Sequence, residues 1–560
     1  MAPAGDDRSG NGLKSFSIHA QDEQSHATFT ALAKEQAAHP TFAFPAAATE
    51  SVDPETAARR YLNQALESKL TPNFVAPTTE DAESQFKTIG TDTVPLTGTR
   101  TVKFRQAFHD IPVYGSLVTV ELDKSNRLVS INSSLGEPTG VQALAKISPA
   151  EAAKAVVNKP PFKKDLTGIA PRLNYYYVAS RAKWHLAFIF EDVPVTLSER
   201  GPKKTGRIAP RYFDYVVDAK TGRVIAELPR TPSMASEVQN AIDARQIQRS
   251  IRVETIGNRS VLKDTANNIE TFDFRFDDPT LHEAALPGQE VSPVWPPGAV
   301  SAHANAEAVA DFLRTVLMRN NIDNQGGPMN ASVNCVVSSE SRDGRQWFNA
   351  YWNGQQMVYG QVMSGGQLLT LAAALDIVGH EMFHGVTDNT SRLEYAGQSG
   401  ALNESYSDIF GILIANRGQP DRRQWDWKLG QGFANGGGAF RDMSDPASLG
   451  QPAHMNDFRV LPNTQRGDWG GVHTNSGIHN KAAHLIMTAA DNAGFVFDVN
   501  QVAGIFYIAV TQQLSRTSQF TDSRRSVLSA ARTLFRNLPA DQLARRVSAI
   551  EAAFDAVGIQ

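Results

Sequence analysis

Two histidines and a glutamate in Ile377-Val378-Gly379-His380-Glu381-Met382-Phe383-His384 have the types and spacing to hold and use a metal ion. If the stretch is helical, His380 and His384 lie four residues apart and send both imidazoles from one face towards a single ion. Glu381 shares that helix and can reach a water on the ion without being a ligand. Zinc sites of this kind keep three protein ligands and leave the fourth position to water, so one more ligand must come from elsewhere. Glu404, within Ala401-Leu402-Asn403-Glu404-Ser405-Tyr406-Ser407-Asp408, is the natural candidate. Asp408 repeats the four-residue spacing on a second expected helix, Ala401 to about Ala415, and can support a ligand histidine from behind.

A bare HExxH can also be a solvated helix with two incidental histidines. Three features count against that here. Apolar flanks, Leu371 to Val378 and Val386, bury the helix, so its polar residues need a reason to be there. An acidic second helix follows at a distance that permits a hairpin back onto the first. A third cluster, Asp468-Trp469-Gly470-Gly471-Val472-His473-Thr474-Asn475-Ser476-Gly477, brings another histidine in a glycine-rich loop.

The elements that must position these groups belong to a chain of 560 residues, long enough for about three or four folding units. Its 54 basic and 58 acidic residues leave a net charge of −4, which makes no electrostatic case for nucleic acid or an anionic membrane. Cys335 is the single cysteine, so neither an internal disulfide nor a CxxC zinc site is possible. No run approaches the eighteen or more apolar residues of a membrane span. Met1 to Gly12 is polar and lacks the basic-then-apolar pattern of a secretory signal.

Residues 1–50, rich in Ala, Ser and Gly, are expected to be disordered or loosely attached. Asp53-Pro54-Glu55 starts a helix that continues amphipathically to Leu70. Alternating strands follow between Thr99 and Leu135, Ser148-Pro149-Ala150-Glu151 opens a short helix, and strands resume at Leu173–Val178, Trp184–Phe190 and Tyr212–Val217. This helix-and-antiparallel-sheet unit, 51–235, holds no cluster of metal-ligand type. Residues 236–390 read as a β-rich unit with an amphipathic helix, Ala302–Met318, and the metal helix at its end. Residues 391–560 are dominated by helices: Ala401–Ala415, Ser476–Ala490, Asn500–Leu514, Ser523–Leu534 and Pro539–Val557.

From about residue 255 onward the chain resembles the thermolysin-like neutral metallopeptidases, in which HExxH is paired with a downstream NExxSD-like segment, here Asn403-Glu404-Ser405-Tyr406-Ser407-Asp408. Asn349-Ala350-Tyr351-Trp352-Asn353-Gly354 is similar to the family's substrate-binding edge strand, and Gly470 to Ala483 to its catalytic-histidine loop. Ala553-Phe554-Asp555-Ala556-Val557-Gly558 is similar to its usual C-terminus. Residues 50–230 resemble its propeptide, which assists folding and inhibits until cut away. The resemblance implies an α+β fold: a two-lobed peptidase, with a β-rich N-terminal lobe, a central zinc helix and an α-helical C-terminal lobe, preceded by an α+β propeptide. It implies one Zn2+ on His380, His384 and Glu404, with Glu381 as general base and Asn403 and Asp408 supporting the ligands. Tyr395 and His473 are then the oxyanion donors, Asp468 orients His473, and Asn349, Arg441 and the Ala350 main chain bind substrate backbone. Leu368, Leu371, Ile377, Leu429, Phe433 and Phe440 are expected to line the pocket for the side chain after the cut bond, giving cleavage on the amino side of hydrophobic residues.

The chain departs from the family at its double calcium site. Asp376 and Asp426 match two positions, but Ala415, Lys428, Gln431 and Gly438 stand at others, too few anions for an ion that takes six to eight oxygens. That double site is therefore expected to be absent. The expected partners are peptide or protein substrates and the chain's own propeptide, acting on a secreted monomer. The alternative is a catalytically idle binding or scaffold protein that keeps the fold; the intact set of base, ligands and donors argues against it.

Overall fold

The computed structural model describes residues 12–20, 53–67, 84–138, 140–160, 162–197, 212–230, 235–236, 238–256, 259–278, 288–341, 343–354, 356–434 and 437–560. Asp53 caps helix α1 (Pro54–Glu67), its Oδ1 accepting from the Thr56 N–H at 3.0 Å. The apolar face of α1, Ala58, Leu62 and Ala65, lies on an antiparallel sheet through Phe104, Val118, Val120 and Ile131. The strands of that sheet run in the order Leu13–His19, Leu128–Gly136, Leu117–Leu122, Thr99–Phe108, Ser84–Val94, with Ile111–Pro112 on Thr99–Phe108. Leu13–His19 corrects the expectation of disorder up to residue 50, the rest of which lies outside the described residues. It pairs along its whole length with Leu128–Gly136, a long-range edge pairing that local composition does not reveal.

A second antiparallel sheet orders Val224–Arg230, Tyr212–Asp218, Lys183–Leu197 and Phe162–Lys164, with Arg172–Val178 also on Lys183–Leu197. Helix α2 (Pro149–Val157) begins at the expected Ser148–Glu151 capping box and buries Ala152 and Val156 against Tyr175, Phe188 and Tyr215.

The third sheet is mixed. It runs Ala235–Ser236, Lys263–Asp273, Met329–Val333, Gln356–Ser364, Trp347–Trp352, and the pairings on either side of Met329–Val333 are parallel. Among the described residues Trp347–Trp352 ends this order, an edge position of the kind to which an extended peptide adds. Helix α3 (Pro297–Thr315) packs against the sheet. Then come α4 (Leu375–Asp388), α5 (Gly397–Ala415), α6 (Asp468–Thr488), α7 (Val499–Ile508, passing into a π-turn at Ala509–Gln513), α8 (Phe520–Leu534) and α9 (Ala540–Asp555).

Helix α5 is buried from Ser399 to Ile414 on every face, which a helix tolerates when it forms the axis of a lobe. Its crossing with α4 is set by glycines. A Cβ on Gly411 would sit 2.6 Å from the Asp376 carbonyl oxygen, and one on Gly379 would sit 3.2 Å from the Gly411 Cα. Only this close approach lets side chains from both helices meet at one point.

The N-terminal region does not stand apart. Val94, at the end of its strand, belongs to the same continuous core as α4 to α9. Glu121, fully buried, accepts from Thr99 and Ser130 of its own sheet and from Thr533 of α8, at 2.6, 3.0 and 2.9 Å. Arg536 reaches back to the Thr97 carbonyl at 2.8 Å.

Replacing Gly411 by alanine is expected to force the two helices apart, destabilising the chain by roughly 1–3 kcal/mol. A thermal melt of Gly411→Ala within a degree of the native protein would contradict the close crossing as the constraint.

Candidate active site

On α4 the two histidines face inward one turn apart, their Nε2 atoms 3.0 Å from each other. Glu404 on α5 meets them, Oε2 at 3.5 Å from His380 Nε2 and Oε1 at 3.4 Å from His384 Nε2. Among the described residues these three form the group of His, Cys, Asp and Glu able to hold a metal ion, with ligand atoms within 4.8 Å of one another. Two imidazole nitrogens at this distance are at ease only around a shared cation or proton. Glu404 Oε2 is buried without a hydrogen-bond donor, so an acceptor there also faces inward unsatisfied. Two nitrogens and a carboxylate with an open fourth direction are the donor set of a catalytic zinc site, and the residues fit that ion.

Each ligand is held from behind. His380 Nδ1 lies 2.7 Å from Asp408 Oδ1, and His384 Nδ1 lies 2.8 Å from Asn403 Oδ1 and 3.1 Å from Ser407 Oγ. These contacts fix the rings with Nε2 forward. Arg441 binds Asp408 through Nε at 2.9 Å and turns Nη2 to within 3.5 Å of Glu404. It is thus a counter-charge within the ligand set, with further N–H groups to spare.

The charges respond accordingly. Burial opposes the ionised form of Glu404, yet His473, His384, His380 and Arg441 hold its carboxyl far below the usual range. Burial pushes His384 down to about 4, keeping it a neutral ligand. For His380 burial acts the same way, but Asp408 and Glu404 outweigh it and raise the ring. Burial lifts Glu381 to about 7, His380 opposing and Glu404 assisting, and the Trp352 N–H donates to its Oε2 at 3.2 Å. That bond ties the edge strand to the metal helix.

Across the cleft, Tyr395 donates to Glu404 Oε1 and lies 3.1 Å from His473 Nε2. The glycine-rich stretch expected as a loop through Ser476 ends earlier. Asp468, Trp469, Gly470 and Gly471 all have positive φ, and regular helix starts at Val472, so His473 sits in its first turn. Four left-handed residues fold Asp468 back onto that turn, where it meets His473 Nδ1 at 2.6 Å and accepts from the Thr474 N–H at 3.0 Å.

Asn349 and Ala350 lie half-buried on the edge strand, where the pairing with Gln356–Ser364 shifts register between Trp347 and Ala350. Leu371, Ile377, Leu429 and Phe433 are buried in one core with Phe440 packed against it. Leu368, half-buried opposite Met363, is not among the residues of that core. Sequence reasoning missed Asn480, which donates to Asp408 Oδ2 at 2.8 Å; its signal was its place seven residues after His473 on α6, two turns along the same face. It also missed Arg245, whose guanidinium stacks 5.3 Å over the Phe433 ring from a distant hairpin that no local pattern indicates.

Comparison with known families decides what this geometry belongs to. The catalytic domain of thermolysin metallopeptidases matches residues 239–388, and their α-helical domain matches 391–559. The chain belongs to the thermolysin family. A fungalysin/thermolysin propeptide motif covers residues 84–135, on the first sheet. Bacillolysin of Bacillus amyloliquefaciens is 30% identical over 482 residues, 82% of this chain and 83% of that protein. Neutral protease NprE of Bacillus pumilus is 35% identical over 308 residues, 54% of this chain and 91% of that protein. The precursor of protealysin, a metalloproteinase from Serratia proteamaculans, is a solved structure of 30% identity with a TM-score of 0.43, covering 52% of this chain and 87% of its own. The protein is a zinc-dependent metalloendopeptidase made as a self-inhibited precursor. Among the described residues no helix is long and apolar enough to cross a membrane.

Asp408→Asn removes a charge that orients His380 and balances Arg441. It is expected to weaken zinc binding roughly 10–100-fold in a chelator competition. Unchanged affinity would leave Asp408 without this role.

Proposed function

We propose that this thermolysin-family enzyme cuts peptide bonds on the amino side of hydrophobic residues, with Glu381 as general base. The observation that carries this is the convergence of His380, His384 and Glu404 beside Glu381, which the edge strand meets through the Trp352 N–H. His380, His384 and Glu404 would hold the zinc, which when bound would lower the pKa of a water and polarise the scissile carbonyl. Glu381, poised near neutrality, accepts the proton of the attacking water and hands it to the departing amine. His473, held at Nδ1 by Asp468, presents Nε2 to the cleft as a donor to the carbonyl oxygen. Tyr395 turns its hydroxyl from Glu404 to the same oxygen, each donor contributing on the order of 3 kcal/mol. Substrate adds to the edge strand at Asn349 and Ala350, and Arg441 offers its remaining N–H groups to a backbone carbonyl. The buried side chains of Leu371, Ile377, Leu429 and Phe433, with Phe440 at the rim, favour an apolar residue after the cut by roughly 1.5–3 kcal/mol.

The inhibitory unit spans about 51–235, and its junction with the enzyme includes residues 231–234, outside those described. Secretion is the setting supported by likeness to bacterial neutral proteases such as bacillolysin. Calcium at the family's double site is left out of this reading because only two of its aspartates, Asp376 and Asp426, remain, too few for an ion that takes six to eight oxygens. Asp376 is buried and its carboxylate accepts the Gly430 N–H, while Lys428 adds a cation nearby in sequence.

Intact mass followed over time tests the function. The zinc-loaded chain is expected to shorten to a product starting near residues 230–250, whereas Glu381→Gln or chelated chain stays whole. If the Glu381→Gln chain shortens equally, another protease is responsible. Millimolar calcium is expected to leave the melting temperature unchanged; a clear rise would restore the calcium site.

A further inference from the structure

The loop that carries Tyr395 is gripped from the propeptide side. The Glu394 N–H donates to the Arg516 carbonyl at 2.7 Å, so the two residues are already neighbours within the catalytic region. Their side chains carry opposite charge and both face the propeptide. Arg516 is not answered by Glu394 but by propeptide groups: Nη2 meets Glu191 Oε1 at 2.7 Å, and Nη1 meets Asp214 Oδ2 at 3.3 Å and the Tyr114 hydroxyl at 3.1 Å. The guanidinium also stacks on the Tyr114 ring, 5.2 Å from its centre. Tyr114 also feels the Glu394 carboxyl electrostatically, so it stands beside both a cation and an anion of one domain. Glu394 keeps one oxygen, Oε1, buried with no hydrogen-bond partner. Burial pushes its carboxyl up to about 7 against the pull of Arg516, as expected of an acid kept from its counter-ion. Gly115 secures the fit: at φ +79° it lets the backbone beside Tyr114 approach Thr517, whose Oγ1 would lie 2.5 Å from any Cβ there. Arg105, Arg172 and Tyr176 complete the propeptide side of the cluster.

We propose that Glu394 and Arg516 are positioning residues for Tyr395, and that the propeptide holds the precursor latent by wedging Tyr114 between them while Glu191 and Asp214 take the Arg516 charge. The inference rests on the reading of Tyr395 as an oxyanion donor and of the N-terminal unit as inhibitory. When the propeptide leaves, the guanidinium loses both carboxylates, and Glu394, bonded to Arg516 through the backbone, is an anion placed to replace them. The backbones are already bonded, so the two side chains start from adjacent positions. Closing that pair fixes the residue before Tyr395, and so the reach of its hydroxyl into the cleft.

Two measurements separate the parts. In the full chain carrying Glu381→Gln, hydrogen exchange at residues 389–396 is expected to quicken about tenfold when Tyr114→Phe, or Glu191→Gln with Asp214→Asn, is added. Exchange unchanged in both overturns the wedge, whether or not the chain is active. In the enzyme released from the wild-type chain, Glu394→Gln and Arg516→Met are expected to lower kcat about tenfold with KM nearly constant, and Arg516→Lys to recover part of it. An unchanged kcat overturns the positioning role. If Arg516→Met fails to fold, the isosteric Glu394→Gln decides alone. A wild-type chain without zinc-dependent turnover overturns the underlying peptidase reading and with it the positioning role, while the exchange result still decides the wedge.

Discussion

Glu404 is an ionised carboxylate held out of water, 1% exposed, at the centre of a helix buried on all faces. Such a charge is tolerable only if other charges come to it, and the C-terminal half of the chain is arranged around that need. Two histidines approach from α4, Arg441 from the short strand beyond α5, and Tyr395 and His473 from across the cleft. Each newcomer is itself buried or half-buried and needs a partner in turn, which is why Asp408, Asn403, Asp468 and Asn480 lie one bond further out. The helix crossing at Gly379 and Gly411 makes the meeting possible, because any Cβ at Gly411 would hold the ligands' helices apart.

The same dependence reaches the propeptide. Its first sheet is not a detachable cover, for Val94 sits in the core of the helical lobe and Glu121 is satisfied partly by Thr533. An intimate polar and apolar joint of this sort couples departure of the propeptide to rearrangement of side chains in the enzyme. Around Arg516 the joint is ionic, and it touches the backbone of the loop that bears Tyr395. Inhibition can therefore act on the catalytic apparatus from a point outside the metal site.

The metal site was legible because its spacing is local. His380, Glu381 and His384 occupy one turn of one helix, and Glu404 and Asp408 repeat that spacing on the next. The helices themselves were visible from apolar periodicity and caps, as at Ser148–Glu151. Less legible were features made by distant pairings: the strand Leu13–His19 and the stacking of Arg245 on Phe433. His473 shows an intermediate case. Its neighbourhood of glycines signalled a turn, but only the folded backbone shows four left-handed residues delivering Asp468 to the first turn of α6.

The sequence by itself determined the ligand types, their spacing and the helices that carry them, because covalent geometry ties residues three and four apart to one helical face. Tertiary structure alone decided the charge environment: which carboxylates are buried, that Arg441 is committed to Asp408, and that Arg516 is answered by Glu191 and Asp214 and not by Glu394. Burial and Coulomb interaction depend on distances through space between segments hundreds of residues apart, and no local pattern encodes those distances.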